Sequence, residues 1–321
     1  MRQNIRKLNY AVEKSFHGIT IEAFLHAKNY TRGMISGLKK VKYEEDGEIH
    51  YGIEKNGKWA FTIDPLAEGD LLSISFLEME NEESAALYPL PLDIVYEDED
   101  ILLLNKPAGI PSHPSPGHYE DTLAGAVSYY YKEEKGISPF VCRMIHRLDL
   151  DTSGLILLGK NKFSASLLNQ EMREGRIERC YTAFCHGNPA DAFEKTGEIL
   201  RISAPIQRVE NEIMLREVHF QNGQEAITNI LSVEYFPEKD FSRIKLRLET
   251  GRTHQIRVHL SYIGCPLLGD SLYGGTAYSP RIARQALHSS SIEFTHPESG
   301  KKMQFEIPLP KDMEVLLKAI V

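Results

Sequence analysis

The sequence lacks the marks of a membrane or secreted protein. No run of about 18 apolar residues interrupts the 321-residue chain, so no membrane span is predicted. The first residues are basic but lead into polar ones, which predicts no signal peptide. The four cysteines (Cys142, Cys180, Cys185 and Cys265) include no CxxC pair, and a chain of this size needs no disulfide framework. We therefore expect a cytoplasmic protein that has no contact with membranes.

Motifs for cofactors and metals are also missing. The chain has no GxGxxG run, no GxxxxGK[ST] loop and no GxSxG elbow, so neither a nucleotide cofactor nor a serine hydrolase is indicated. A zinc set could be assembled on paper from Cys142, His146, His254, His259 and Cys265, but none of these has CxxC or HExxH spacing. We expect no metal and no cofactor.

Net charge leaves the nature of the partner open. A formal charge of -8 would at first argue against a polyanion. However, residues 78–100 contain nine acidic side chains and no Lys or Arg, so the rest of the chain is nearly neutral. Residues 242–259 hold five Lys or Arg against one Glu. The charge distribution therefore neither excludes nor establishes a nucleic-acid partner.

An acidic stretch that ends in prolines divides the chain. Residues 78–84 (EMENEES) have the composition of a solvated linker, and prolines at 89 and 91 disfavour regular structure. We place a small α+β unit at residues 1–80, a linker at 81–88 and a larger domain at 89–321.

Hydrophobic spacing predicts an α+β fold in both parts. In the small unit it predicts helices at 19–28 and 31–40, the second capped by Thr31, and strands at 59–63 and 71–76. In the larger domain it predicts a helix at 163–174 and strands at 101–104, 141–145, 155–158, 181–185, 227–233, 244–248 and 292–294. Regular helices do not separate these strands, so we expect a mixed, largely antiparallel sheet.

The densest cluster of reactive side chains is the segment 143–154 (RMIHRLDLDTSG), between two predicted strands. It combines the carboxylates of Asp149 and Asp151 with two arginines and a histidine, and loops held by rigid strands often carry catalytic groups. A polar hairpin turn would have the same composition. The residues alone do not decide between these two interpretations.

A second candidate is the segment 248–259 (LETGRTHQIRVH), at the end of an alternating strand. Glycine followed by donors from Arg252, His254 and Gln255 suits the binding of a phosphate or a base edge. The same pattern is typical of a solvated basic edge. In a helical alternative, Ile256 and Leu260 would share one face.

Together these segments resemble the RluA-type family of pseudouridine synthases over most of residues 88–321. Six motifs occur in the family's order: NKPAG with HP (105–109, 113–114), HRLD with TSGL (146–149, 152–155), RCYTA (179–183) with Gly187, GRTHQIRVH (251–259), PLLGD with YGG (266–270, 273–275) and QALH (285–288). The small unit resembles a ribosomal-protein-S-four-like RNA-binding module at TR (31–32), NGK (56–58) and GD (69–70). It departs from that pattern at residues 41–55, which look like an acidic insertion.

The resemblance implies an RNA-modifying isomerase that needs no cofactor. Such enzymes break the bond between ribose and the uracil nitrogen, turn the base and rejoin it through C5. By resemblance, Asp149 is the carboxylate at the anomeric carbon, either as a nucleophile or in a glycal route. Arg257 is its expected ion-pair partner, and Tyr181 is the expected aromatic wall and a candidate proton acceptor.

The resemblance also implies a set of RNA contacts. The uridine must leave its stack, and Arg147 is expected to fill the vacated space. The other expected contacts are His146 in a supporting role, Arg252, His254, Gln255 and Arg32. Ribosomal RNA is the first expected substrate and transfer RNA the second, and no protein partner is implied.

Two alternatives belong to other classes of protein. One is an RNA-binding protein that keeps this scaffold without catalysis. The other is a glycoside hydrolase that uses Asp149 and Asp151 as its two carboxylates.

Overall fold

The computed structural model of the protein describes residues 3–78, 86–115, 117–193, 200–274 and 282–320. In its N-terminal part, two helices cover a four-stranded antiparallel sheet of order β1-β6-β4-β5. The elements are β1 Ile5–Ala11, α1 Ile21–Ala27, α2 Arg32–Leu38, β2 Lys42–Glu45, β3 Glu48–Tyr51, β4 Ile53–Lys55, β5 Lys58–Trp59 and β6 Leu71–Leu77.

Both predicted helices of this part are confirmed, and so is the cap on the second. The hydroxyl of Thr31 accepts a hydrogen bond from the backbone N–H of Met34 at 3.2 Å. The predicted strand at 59–63 is wrong beyond Trp59. There the carboxylate of Asp64 accepts a hydrogen bond from the N–H of Phe61 at 2.8 Å, which closes a turn instead of extending the strand. Residues 41–55, expected as an insertion, contain the hairpin β2–β3.

The larger part is built on a ten-stranded sheet with a central order β12-β15-β16-β11-β17-β10-β8-β7. Its elements are β7 Ile94–Glu97, β8 Ile101–Lys106, α3 Leu123–Tyr129, β9 Arg143–Met144, β10 Ser153–Gly159, α4 Lys162–Arg173, β11 Glu178–His186, β12 Leu200–Ser203, β13 Ile206–Arg208, β14 Arg216–Val218, β15 Ile227–Phe236, β16 Phe241–Leu248, α5 Gln255–Tyr262, β17 Leu287–Thr295, β18 Lys302–Glu306 and α6 Lys311–Ile320. Among the described strands of this sheet, only β10 and β17 pair in parallel, so the predicted mixed, largely antiparallel sheet is confirmed.

Some local predictions for this part fail. The predicted strand at 141–145 is reduced to Arg143–Met144, because pairing with β10 covers only these two residues. The segment after β16 forms the helix α5 at Gln255–Tyr262, so the helical alternative for the segment that holds Ile256 and Leu260 is confirmed. Ile256 and Leu260 of that helix pack with Leu123 and Val127 of α3 in the main core.

The two parts pack on each other through α4. Phe163 of α4 lies in the N-terminal core, with ring centroids 5.3 Å from Tyr30 and 5.8 Å from Phe76. Arg6 of β1 forms two hydrogen bonds to Asp100, at 3.0 and 2.7 Å. Residues 79–85 of the expected boundary lie outside the described residues, and the division at 81–88 stays a prediction. In the described ranges, no helix has the length and apolarity required to cross a bilayer.

Candidate active site

Asp149 lies where two cavities meet. The loop that carries it joins β9 to β10. One cavity of about 440 Å³ and a neighbouring one of about 560 Å³ both include Asp149, Arg147, His254 and Arg257 in their walls. The side chain of Asp149 is 16 % exposed, so it is largely desolvated but still open to a ligand. The two predicted clusters at 143–154 and 248–259 therefore come together in space.

Three side chains fix the backbone of this loop, and none of them was singled out from the sequence. Lys106 is fully buried, and its Nζ donates to the carbonyls of Pro107, Ile110 and Leu150 at 2.7–2.9 Å. Burial lowers the pKa of Lys106 to about 7, and the neighbouring Asp149 and Asp151 carboxylates oppose that shift. The hydroxyl of Ser112 donates to the Leu148 carbonyl at 2.9 Å, and the guanidinium of Arg284 donates to the Asp151 carbonyl at 3.0 Å.

Arg257 reaches Asp149 but is held by another carboxylate. Its Nε and Nη2 each donate to Asp270 at 2.7 Å, in a bidentate pair. Its Nη1 lies 3.9 Å from Oδ2 of Asp149, which is an ion-pair distance without a short hydrogen bond. The resemblance led us to expect Asp149 as the partner of Arg257; the structure adds Asp270, fully buried, as its main partner. Asp270 thus orients the guanidinium toward Asp149.

Tyr181 forms part of the wall of the smaller cavity. It lies in the middle of β11 and is 3 % exposed. Burial raises the pKa of its phenol; the guanidinium of Arg179 lowers it in part, and Asp149 raises it further. Because Asp149 and Tyr181 influence each other electrostatically and line one cavity, a base placed on the tyrosine ring would lie near the carboxylate.

The segment at 251–259 divides into structural and accessible residues. Both amide ends of Gln255 are engaged: Nε2 donates to the Ile227 carbonyl and Oε1 accepts from the Arg252 N–H at 3.0 Å. His254, in a left-handed conformation at φ 59°, shares a hydrogen bond of 2.9 Å with the hydroxyl of Tyr273. The side chain of Arg252 is exposed at the cavity rim. Gln255 therefore braces the loop, whereas Arg252 faces solvent.

The remaining expected contacts lie in different places. Arg147 is exposed and lines both cavities. His146 is buried, and its Nε2 accepts a hydrogen bond from the N–H of Leu157 at 3.2 Å, which supports β10. Arg32 is exposed at the start of α2 and lines neither cavity.

Asp149 and Asp151 lie in different positions relative to the two cavities. Both residues lie in a turn and not in a strand, so the rule that residues two apart in a strand share one face does not apply to them. Asp149 lines both cavities, and Asp151 lines only the larger one.

Among the described residues, no three His, Cys, Asp or Glu side chains cluster as a metal site would require.

Because two histidines near the site are buried, we expect the protein to lose stability in acid. Burial lowers the pKa of His146 to about 3, with help from Arg179, and that of His288 to about 4. In the unfolded chain a histidine has a pKa of about 6.5. Above that pH the two buried histidines contribute their full stabilisation of the folded protein, and this stabilisation is lost as the pH falls toward their pKa values in the folded protein. From pH 7 to pH 5, we expect the free energy of unfolding to fall by roughly 2 kcal/mol for each histidine.

Urea titrations at the two pH values measure this loss. His288→Gln should reduce the loss by roughly 2 kcal/mol, because one titrating group is gone. The other histidines whose pKa burial lowers, His113, His254 and His259 among them, continue to titrate. His17→Gln, at an exposed position, should leave the dependence unchanged. Equal pH dependence in all three proteins would contradict the assignment to buried histidines.

Comparison with known sequences gives consistent matches. The family model described as RNA pseudouridylate synthase matches residues 100–262. The chain is 41% identical over 274 residues to the "Uncharacterized RNA pseudouridine synthase YjbO" of Bacillus subtilis (strain 168), covering 84% of this chain and 92% of that protein. It is 37% identical over 264 residues to the "Ribosomal large subunit pseudouridine synthase D" of Yersinia pestis, covering 78% and 77%.

Solved structures show a similar fold. "Human RNA Pseudouridylate Synthase Domain Containing 4" superposes with a TM-score of 0.56 at 21% identity, over 71% of this chain and 92% of that one. "Human RNA Pseudouridylate Synthase Domain Containing 1" gives a TM-score of 0.52 at 24% identity, over 75% and 97%. The mixed sheet that positions the two cavities is therefore shared with these domains.

Proposed function

Because this chain belongs to the RluA-type family of RNA pseudouridine synthases, we propose that Asp149 is the carboxylate with which it isomerises uridine in RNA. The observation that carries the proposal is the position of Asp149 at the junction of two cavities, 3.9 Å from Arg257 and beside the wall formed by Tyr181. The reaction rearranges one nucleotide without oxidation or an added group. It can therefore be carried out by side chains alone.

Asp149 is a partly buried carboxylate with a cation and a fixed backbone around it. The guanidinium of Arg257 lies 3.9 Å from Oδ2 of Asp149 and supplies an opposite charge to the partly buried carboxylate. Ser112 and Lys106 hold the loop backbone on both sides of the carboxylate, at the carbonyls of Leu148 and Leu150. Asp149 would then attack the anomeric carbon or assist departure of the base, with Arg257 as the neighbouring cation.

Access to the site requires that the uridine leave its stack. Removing a base from a duplex costs a few kcal/mol, and a planar side chain can occupy the gap. Arg147 has the required position, since it is exposed between the two cavities and its guanidinium can stack or pair. Arg208 and Arg216, which also line the larger cavity, add positive charge for the phosphates that follow the target.

We propose large-subunit ribosomal RNA as the substrate, with transfer RNA as the second candidate. Support comes from relatives whose names specify the large ribosomal subunit, among them the Yersinia pestis protein. Mapping pseudouridines in total RNA from cells with and without this gene tests the choice. Sites lost only from transfer RNA would favour the second candidate.

The four free cysteines agree with the proposed cytoplasmic location.

Tyr181→Phe tests whether the phenol takes part in the chemistry. The ring remains as a stacking surface, so the affinity for RNA should stay within about twofold. If the hydroxyl accepts a proton during the sugar chemistry, the single-turnover rate should fall by roughly 10²-fold. An unchanged rate would show that Tyr181 is only a wall.

We propose that the N-terminal part is an RNA-binding module of the ribosomal-protein-S-four-like kind. Arg32 is exposed at the head of α2, where a phosphate could bind. Arg32→Glu should weaken RNA binding several-fold and reduce the salt slope by about 1, with the rate at saturating RNA unchanged. Lys318→Glu, an exposed charge reversal on α6, is the matched control. Equal effects of the two variants would argue against an RNA contact at Arg32.

A further inference from the structure

Arg179 is a buried cation that has no hydrogen-bond or ion-pair partner among the residues that the structure describes. Its side chain lines the smaller cavity and the residue is 6 % exposed. Its Nε is sealed from solvent and has no hydrogen-bond acceptor, and none of the ion pairs among the described residues includes it. Other buried arginines of the site are paired, Arg257 with Asp270 and Arg284 with Asp312.

A buried guanidinium in this state is unfavourable for folding. Removing a charge from water costs several kcal/mol unless an opposite charge or hydrogen bonds replace the lost hydration. A side chain that carries this cost in a cavity wall is a candidate for function, because a bound ligand can supply the missing acceptor. The position of Arg179 indicates what that ligand is.

Arg179 and Tyr181 share one face of β11. Residues two apart in a strand point to the same side, and both side chains line the smaller cavity. Gly251 lines the same cavity next to the guanidinium: a Cβ at that position would be in van der Waals contact with Nη1 of Arg179, at 3.5 Å. A planar base stacked on Tyr181 would therefore have the guanidinium beside its edge.

We propose that Arg179 donates hydrogen bonds to a carbonyl oxygen of the target uracil and stabilises the charge that the base acquires when it detaches. When the bond from C1′ to N1 breaks, its electron pair stays on the base, and the negative charge spreads over N1 and the carbonyl oxygens. Later C5 bonds to C1′, the C5 proton leaves and N1 takes up a proton. The guanidinium transfers no proton; its charge and donors act before and during these steps.

The depth of Arg179 favours the base over a backbone phosphate. A phosphodiester is a strongly hydrated anion and is best met by arginines at the surface, such as Arg147, Arg173 and Arg252 at the rim of the same cavity. Arg179 is buried in the cavity wall beside Tyr181, where a flipped base would reach it. A neutral carbonyl enters such a place more easily than a charged phosphate, and it gains charge only during the reaction.

This inference rests on the proposed role of the cavity as the uridine site, so the test begins with an active wild-type protein. If wild-type protein isomerises no uridine in any RNA tested, the proposed function fails before Arg179 is examined. With an active enzyme, Arg179→Met should lower the rate at saturating RNA by on the order of 10²-fold, and the Kd for RNA should change little. Arg179→Lys, which keeps the charge, should recover part of the rate. Arg176→Met, an exposed arginine paired with Glu171, should have no effect on the rate.

Thermal stability separates this role from a structural one. Because Met removes an uncompensated buried charge, Arg179→Met should melt at the same temperature as wild type or higher, although its activity falls. Parallel loss of melting temperature and activity would overturn the proposal. A phosphate contact predicts a different pattern, with weaker binding, a smaller salt slope and an unchanged rate at saturation.

Atomic substitution of the substrate gives the decisive comparison. An RNA with sulfur in place of O2 or O4 of the target uracil offers a weaker hydrogen-bond acceptor at one position. For the oxygen that Arg179 contacts, the thio substitution should slow the wild-type enzyme and should slow Arg179→Met by a much smaller factor. Equal slowing of both proteins at both positions would overturn the proposal.

Discussion

Replacing Asp149 with Asn is expected to lower pseudouridine formation by 10³-fold or more, a loss of about 4 kcal/mol in transition-state stabilisation. The amide has the size of the carboxylate but lacks the charge needed at the anomeric carbon. The fold should survive, because Asp149 is partly exposed and its contact with Arg257 is a loose one at 3.9 Å. The measurements are single-turnover rate, RNA affinity and melting temperature for Asp149→Asn and wild type.

Asp151→Asn is the matched control for this prediction. It removes the neighbouring carboxylate, which lines only the larger cavity. Pseudouridine synthase chemistry needs one carboxylate, so this variant should keep most of its rate. A glycoside hydrolase that used both carboxylates would lose activity in either variant. Near-normal turnover by Asp149→Asn would refute the catalytic assignment.

Arg257→Met is expected to cost both activity and stability. It leaves the carboxylate of Asp270, which is fully buried, without its bidentate partner, at a cost of about 3–5 kcal/mol of unfolding free energy. It also removes the cation near Asp149, so activity should fall even at temperatures where the variant is folded. Urea titration and single-turnover rates at low temperature measure the two effects separately.

A double variant distinguishes the two roles of Arg257. Arg257→Met combined with Asp270→Leu removes both charges of the buried pair and should recover much of the lost stability. Activity should stay low, because Asp149 still lacks its neighbouring cation. If the double variant regained activity together with stability, the effect of Arg257 on catalysis would be only structural.

Sequence reasoning succeeded where local patterns are strong. The helices at 19–28, 31–40 and 163–174 and most strands of the large sheet follow from regular hydrophobic spacing. The two clusters at 143–154 and 248–259 were found by their density of polar side chains, and the structure brings them to one pair of cavities. The roles of Asp149, Tyr181 and Arg257 came from the order of motifs and await the experiments above.

The missed features depend on contacts between distant parts of the chain. Asp270 lies 13 residues from Arg257, and the partners of Arg284 at Asp151 and Asp312 are 133 and 28 residues away. The sequence shows that these residues are charged, but it does not show which of them pair with each other. Arg179 stood within a motif, and only burial without a partner distinguishes it from a surface arginine. Gln255 was expected to contact RNA, and its hydrogen bonds to the loop became visible only in the fold.

The most direct test of the central claim uses RNA labelled with tritium at C5 of uridine. Attachment of the base through C5 requires loss of the C5 hydrogen, so the wild-type protein should release tritium to water. Mass spectrometry of the digested RNA should show a uridine isomer of unchanged mass at a defined position, absent with Asp149→Asn. Release of free uracil, or no release of tritium from any ribosomal or transfer RNA, would contradict the account.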